Sequence, residues 1–263
     1  MDDAFIELAS VDGEITPTGV ATIGLKDDGL YRGDGAFEVI RVYAGKPFAL
    51  VDHLDRLGRS SASISLEFDR AALTREIDML LAEAGEIEGQ LRLIVTRGGR
   101  RIVATEPIPT HAESVSVASI TYQPTVILTG VKSLSYAANM EATRLARARG
   151  ADEAVLVRPD GTVLEPPTST IFWATRDGVL RTTALEAGVL DSITRDRLVE
   201  ALEVEEGAWR IEELHAAAEA FLASTTREIQ AVSSIDGEEL PAVAGPRTRE
   251  AQEAFAATLA REL

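Results

Sequence analysis

The chain has 263 residues, 45% of them apolar, enough to bury a substantial core as one large domain or two modest ones. It carries no cysteine, which excludes disulfides, Cys-ligated zinc, iron–sulfur clusters and a thiol nucleophile, and His53, His111 and His215 are too scattered to point to a metal site. A formal charge of -17 argues against a nucleic-acid surface, so any anionic ligand must be held by a few arginines and backbone N–H groups.

No apolar run reaches the roughly 18 residues of a membrane span. The opening MDDAFIELAS lacks the basic start and apolar stretch of a secretory signal, so the expectation is a cytoplasmic protein with no membrane partner. FEVIRVYAGKPFALV has two β-rich runs joined by Ala44-Gly45-Lys46-Pro47, which predicts a hairpin. DHLDRLGRSSASISL places Leu54, Leu57 and Ala62 on a helical period, and RAALTREIDMLLAEAGE predicts an amphipathic helix ending near Gly85. QLRLIVTRGG and SVSVASI read as strands.

After TYQPTVIL the pattern restarts. A helix is expected from about 134 to 148, then the strand EAVLVRPDG, a turn at Pro159-Asp160-Gly161, TVLE, the strand TIFWAT, a turn at Asp177-Gly178, and VLRT. SITRDRLVEAL and IEELHAAAE predict helices, AFLAST and EIQAVSSIDG strands, and a last helix runs from about Thr248 to Leu263. The chain therefore reads as two α/β lobes, 1–118 and 126–263, with a linker at 119–125.

Lysine is nearly absent: Lys26, Lys46 and Lys132 are the only ones, and arginine supplies the rest of the 26 basic residues. Lys26 and Lys46 stand where turns leave a lysine solvated. Lys132 lies between the apolar run PTVILTGV and the apolar-faced LSYAANMEATRLA. Arginine cannot replace lysine where the amine itself must bond a carbonyl, because guanidinium stays charged while a partly desolvated amine can shed its proton. Lys132 is thus a candidate Schiff-base lysine; a lysine snorkelling at a helix start is the competing reading.

A Schiff base to pyridoxal phosphate needs an acid at the ring nitrogen and a phosphate cup of N–H groups, hydroxyls and a cation. GTVLEPPTSTIFW offers Glu165 before Pro166-Pro167, where an exposed loop glutamate is the alternative. GVLDSITRDRLVEAL presents the N–H groups of Ile193 and Thr194 at a helix start, with Ser192 as a plain N-cap the alternative. FLASTTREI ends a strand on Ser224, Thr225 and Thr226.

These pieces, in this order, resemble the class IV pyridoxal-phosphate aminotransferases. The likeness runs from Asp27 to the C-terminus through GLYRGDGAFEVIRVYAGKPF, HLDRL, VTRGG, VKSLSYAANMEA, DEAVLVRPDGTVLEPPTSTIF, GVLDSITR and STTREIQAV. It implies the mixed α/β, two-domain fold type IV, with the active site in the interdomain cleft, and a homodimer with shared active sites. It implies pyridoxal 5'-phosphate as cofactor, with Lys132 as the covalent and proton-moving residue and Glu165 at the pyridine nitrogen. Arg56 in HLDRL, the N–H groups of Ile193 and Thr194, and Thr225 would hold the phosphate, and Tyr136 would face the ring oxygen.

Within the family, FEVIRVY and STTREI are most similar to the D-amino-acid transaminases. Those follow TRG with an arginine and a histidine that grip the substrate carboxylate, whereas this chain has TRGGRRIVATEP and no histidine there. Arg32, Arg97, Arg100 and Arg101 are the candidates for that grip, with Phe37 and Thr226 as further substrate contacts. The expected activity is transamination between an amino acid, of D configuration, and a 2-keto acid. Branched-chain and (R)-amine transaminases and aminodeoxychorismate lyase are the family alternatives; the lyases tend to carry threonine near the Glu38 position. A non-catalytic cofactor-binding protein is the alternative from another class, and retention of both Lys132 and Glu165 speaks against it.

Overall fold

The computed structural model describes Phe5 and residues 7–263. Of the opening decapeptide read for a secretory signal, Met1–Ala4 and Ile6 lie outside the described residues. The chain divides into two compact units. The first holds the described residues up to Pro109 with Val131–Tyr136 and Glu262–Leu263; the second holds Thr110–Gly130 with Ala137–Arg261.

The first unit begins with β1 (Leu8–Val11) and β2 (Glu14–Pro17), followed by α1 (Asp28–Arg32), β3 (Gly35–Tyr43), β4 (Lys46–Pro47), α2 (Leu50–Ser63), α3 (Arg70–Ala84), β5 (Gly89–Thr96) and β6 (Arg101–Glu106). Among the described residues its strands form one antiparallel sheet in the order β2-β1-β6-β5-β3-β4. The period-2 alternation of β3 aims Ala36, Ile40 and Val42 inward. There they join Leu54 and Leu57 of α2, Leu73, Ile77 and Leu80 of α3, and Leu91, Leu93 and Val95 of β5 in one core. Asp69 caps α3 by accepting the N–H of Ala72, and Gly85 ends it with φ +73°, a conformation glycine adopts without strain.

The expected hairpin forms, but its second strand is only two residues long. Leu50 already lies on the i, i+4, i+7 stripe with Leu54 and Leu57, so burial of that stripe draws the chain into α2 directly. β1, β2 and β6 are short strands that carry little periodicity of their own; pairing with one another and with β5 creates them.

The second unit holds β7 (Ser114–Thr121), α4 (Ala137–Ala148), β8 (Glu153–Val157), β9 (Thr170–Ala174), β10 (Leu180–Thr183), α5 (Ile193–Ala201), β11 (Val204–Gly207), α6 (Ile211–His215), β12 (Glu219–Ser224), β13 (Glu228–Ile235), β14 (Glu238–Glu239) and all but the last residue of α7 (Pro246–Glu262). Its mixed sheet runs β11-β10-β9-β12-β13-β7-β8, with β14 on β13. β9 and β12 are buried on both faces along 171–174 and 220–223, which read as unbroken apolar runs. Residues 162–165, expected as a strand, make only isolated bridges at Thr162 and Val163. α6 is a single turn, shorter than expected, because Ala217 and Ala220 behind it are already in the core.

The boundary differs from the one expected. The linker placed at 119–125 begins inside β7, whose pairing with β13 and β8 makes it part of the second sheet. Residues 131–136, expected at the head of the second lobe, group with the first unit, and α4 starts at Ala137 rather than near 134. The reason is backbone pairing: Ser133 bridges Ala36, Phe37 N–H donates to the Lys132 carbonyl at 3.0 Å, and Leu134 N–H donates to the Gly35 carbonyl at 2.9 Å. Gly35 permits this approach, since a Cβ there would meet the Val95 carbonyl oxygen and stand 2.6 Å from Leu134 Cδ1. Gly35→Ala is therefore expected to destabilise the protein by about 1–3 kcal/mol, read as a lower denaturant midpoint at unchanged m value.

Candidate active site

Lys132 sits in the segment that β3 captures, five residues before α4. Its backbone is pinned from two sides: its carbonyl accepts the Phe37 N–H, and its own N–H donates to Ser60 Oγ of α2 at 3.1 Å. The half-buried side chain brings Nζ over the Phe37 ring, 4.5 Å from its centroid. Tyr136 meets the same ring edge to face, 5.4 Å between centroids. Lys132, Phe37 and Tyr136 are thus one cluster on the first unit, with the amine at a fixed origin.

Behind them lies a buried polar group. Glu38 takes the inward β3 position between Ala36 and Ile40 and is fully buried. It accepts Arg56 Nε at 2.8 Å and Nη2 at 2.6 Å, and its Oε2 is 2.8 Å from His53 Nδ1. Burial raises the Glu38 pKa, but the Arg56 charge and the hydrogen bonds from Arg56 and His53 outweigh it and bring the value down to about 2. Burial pushes the His53 pKa down, against the Glu38 hydrogen bond, and the Arg56 and Lys132 charges push the same way as burial. His53 Nε2 is buried without a hydrogen-bond partner. Arg56 and Ser60 are one α-helical turn apart, so the helix face that carries the Glu38 ion pair also anchors the Lys132 backbone. The sequence named Arg56 alone. The missed signal was an acid inside the apolar alternation of β3, with His53 and Arg56 at i, i+3 on the next helix.

In the second unit Glu165 is half-buried, and its Oε1 accepts the Leu190 N–H at 2.8 Å. Its backbone is held against β8, where Leu156 N–H donates to the Glu165 carbonyl at 3.1 Å. Two residues on, the Pro167 carbonyl accepts Asn139 Nδ2 of α4 at 3.2 Å. α5 starts at Ile193, and Ser192 Oγ accepts the Arg195 N–H. Ser192 is therefore an N-cap, yet the N–H groups of Ile193 and Thr194 still have no acceptor within the helix. Both residues are buried. Ser224 ends β12 and Thr225 and Thr226 stand in the turn before β13, all three half-buried.

The arginines proposed for a substrate carboxylate divide clearly. Arg97 donates to Asp34 and to the carbonyls of Ile64 and Ser65, Arg100 donates to Asp12, and Arg101 donates to Glu76. These contacts tie the first unit together, and the hydrogen bonds to Asp34 and Asp12 hold the Arg97 and Arg100 pKa values above the usual arginine range. Arg32 is different: it ends α1, its side chain is 71% exposed, and it pairs with Asp28 one turn back. Among the described residues no group of three or more His, Asp or Glu could hold a metal ion, and no helix is long and apolar enough to cross a membrane.

The family model for class IV amino-transferases matches residues 35–235. The chain belongs to that family. A D-alanine aminotransferase from Bacillus licheniformis is 32% identical over 268 residues, covering 93% of this chain and 94% of the relative. A putative branched-chain-amino-acid aminotransferase from Methanocaldococcus jannaschii is 33% identical over 258 residues, covering 86% and 87%. The solved structure of a hypothetical aminotransferase from Mycobacterium tuberculosis in its PLP-bound form superposes with a TM-score of 0.87 at 26% identity, over 95% of this chain and 98% of that one. The fold is thus that of the fold type IV aminotransferases, as the sequence predicted.

Class IV aminotransferases depend on pyridoxal phosphate. The donor set of this class IV chain fits that group. It offers an amine packed on an aromatic ring, a carboxylate held by one backbone N–H, and the N–H groups of two buried residues at the start of a nine-residue helix. In the Glu165 loop, Ser169 Oγ is also buried without a partner.

Proposed function

We propose that the protein moves an amino group between a D-amino acid and a 2-keto acid, with Lys132 as its covalent and proton-moving residue. The observation that carries this reading is the Lys132 cluster: backbone anchors on β3 and α2 hold an amine against Phe37. The likeness to D-alanine aminotransferases and the FEVIRVY and STTREI segments support the D preference.

Pyridoxal phosphate, when bound, supplies an aldehyde for the amino group and a ring that takes up the electron pair left when the Cα–H bond breaks. The rest falls to the chain. The Lys132 amine would carry the proton between the substrate Cα and the carbon of the aldehyde group, one way in the first half-reaction and the other way in the second. Glu165, its carboxylate steadied by Leu190 N–H, would keep the ring nitrogen protonated. Ile193 and Thr194 N–H and the Thr225 hydroxyl would hold the phosphate together with Arg56, whose guanidinium also serves Glu38, and Tyr136 would address the ring oxygen. Arg32, Phe37 and Thr226 would contact the substrate, with Arg32 as the carboxylate grip because, beyond its surface pair with Asp28, it is the most exposed of the candidate arginines, while Arg97 and Arg100 tie the first unit together through Asp34 and Asp12.

Exposed Val20, Leu25, Leu30 and Tyr31 support self-association of the first unit into a homodimer that shares its sites. The deciding assay combines the protein with pyridoxal phosphate, D-alanine and 2-oxoglutarate. Pyruvate and glutamate are expected in equal amounts, with L-alanine far slower. Pyruvate released from aminodeoxychorismate with no keto-acid acceptor would establish the lyase instead.

A further inference from the structure

The turn from β12 to β13 carries Thr225, and its position decides where the Thr225 hydroxyl can meet a phosphate. Surface turns wander unless their side chains tie them down. Here Arg227 does so. Its Nη2 donates to Glu153 Oε2 of β8 at 2.6 Å and, at 3.4 Å, to Thr168 Oγ1, three residues after Glu165. Its Nη1 donates to Gln230 Oε1 of β13 at 2.9 Å, and its backbone N–H bonds Ser224 Oγ across the turn at 3.3 Å.

The partners are themselves fixed. Glu153 Oε1 accepts Thr143 Oγ1 of α4 at 2.9 Å, and Gln230 Nε2 donates to the Ala112 carbonyl at 2.6 Å. The Arg227 and Glu153 side chains are only 13% and 6% exposed. Glu228, the next residue, holds φ +54°, left-handed backbone that a non-glycine residue keeps only where its surroundings impose it. A buried ion pair contributes little net stability compared with an apolar replacement, because desolvation offsets the attraction. Its value behind this turn is geometric: a planar fork fixes direction as well as distance.

We infer that Arg227 is a positioning residue for the phosphate end of the cofactor, holding the Thr225 turn in register with β8 and with the loop that carries Glu165. The inference rests on the reading of Thr225 as a phosphate contact. Arg227 touches neither substrate nor cofactor in this account; it acts through the turn.

The test compares pyridoxal phosphate with pyridoxal, which lacks the phosphate, by equilibrium titration of the cofactor-depleted full-length chain. Arg227→Met alone strands a buried Glu153 charge, so the informative variant is R227M/E153Q, with thermal unfolding to confirm that it folds. If it does not, R227K takes its place, since lysine keeps a charge opposite Glu153 but cannot also span to Gln230. The expected result is a loss of affinity for pyridoxal phosphate of about tenfold, the size of one misplaced hydrogen bond to a charged group, with pyridoxal affinity nearly unchanged. Equal losses for the two ligands, or none for either, would assign Arg227 a purely structural role and overturn the inference. Thr225→Val separates the layers. A selective loss in T225V without one in the Arg227 variant sinks the inference alone, whereas an unchanged phosphate preference in T225V removes the Thr225 reading and the inference with it.

Discussion

Lys132→Ala is expected to lower kcat/KM for the amino donor by about 10²–10⁴-fold, the usual worth of a positioned proton-transfer group. Loss of the covalent anchor adds to that figure. The fold should survive, because the contacts that place residues 131–136 are made by the backbone: the Lys132 carbonyl with Phe37, the Lys132 N–H with Ser60 and the bridge from Ser133 to Ala36. Lys132→Arg should be as inactive as alanine, since a guanidinium keeps its charge and cannot bond a carbonyl. Two measurements check this: steady-state rates, and borohydride reduction of the wild-type holoprotein followed by peptide mapping. The cofactor mass is expected on the peptide that contains Lys132. Wild-type rates in K132A, or label on another residue, would end the assignment.

Glu38→Ala is expected to produce the largest loss of stability, about 3–5 kcal/mol, because it leaves the Arg56 guanidinium and His53 in the core without their shared acceptor. The double variant E38M/R56M should recover most of that loss, since an apolar pair of similar volume carries no desolvation cost. Denaturant midpoints distinguish the two; a mild E38A would mean that Arg56 finds another partner.

The same group sets an acid limit. Glu38 has its pKa depressed to about 2 in the folded state, from an ordinary value of 4.5. Its contribution, on the order of 3 kcal/mol, is therefore complete above about pH 4.5 and is lost as pH falls toward 2. His53 works in the same direction from a higher pH. Its depressed folded pKa means that the unfolded chain takes up a proton near its ordinary value of 6.5 while the folded chain does not, so acidification favours unfolding. Stability measured from pH 7 to pH 3 should fall more steeply in the wild type than in E38M/R56M, and parallel profiles would show that the buried pair does not control acid unfolding.

Much of this was legible along the chain because it depends on neighbours in sequence. The α3 stripe with Asp69 before it and Gly85 after it, the apolar runs of β9 and β12, and the cap at Ser192 are local patterns that burial and capping chemistry read directly. The rarity of lysine singled out Lys132 for the same reason: of the three lysines it alone lies between apolar segments rather than in a turn. The order of Lys132, Glu165, Ser192-Ile193-Thr194 and Thr225 carried the family likeness.

What stayed hidden depends on pairing across long separations. That residues 131–136 join the first sheet rather than opening α4 follows from three backbone contacts to β3, far away in sequence, and from a glycine that lets them approach. No local propensity encodes such a contact. The candidate substrate arginines show the same limit: the sequence set Arg32 apart only by the Gly33-Asp34-Gly35 turn after it, and the fold alone committed Arg97 to Asp34, Arg100 to Asp12 and Arg101 to Glu76. By itself, then, the sequence determined the locally patterned elements, α3, β9 and β12 among them, and the family likeness. The tertiary structure decided which buried carboxylates fix Arg56 and Arg227, because a charge in a low-dielectric core is stable only beside its partner, and that partner is supplied by another part of the chain.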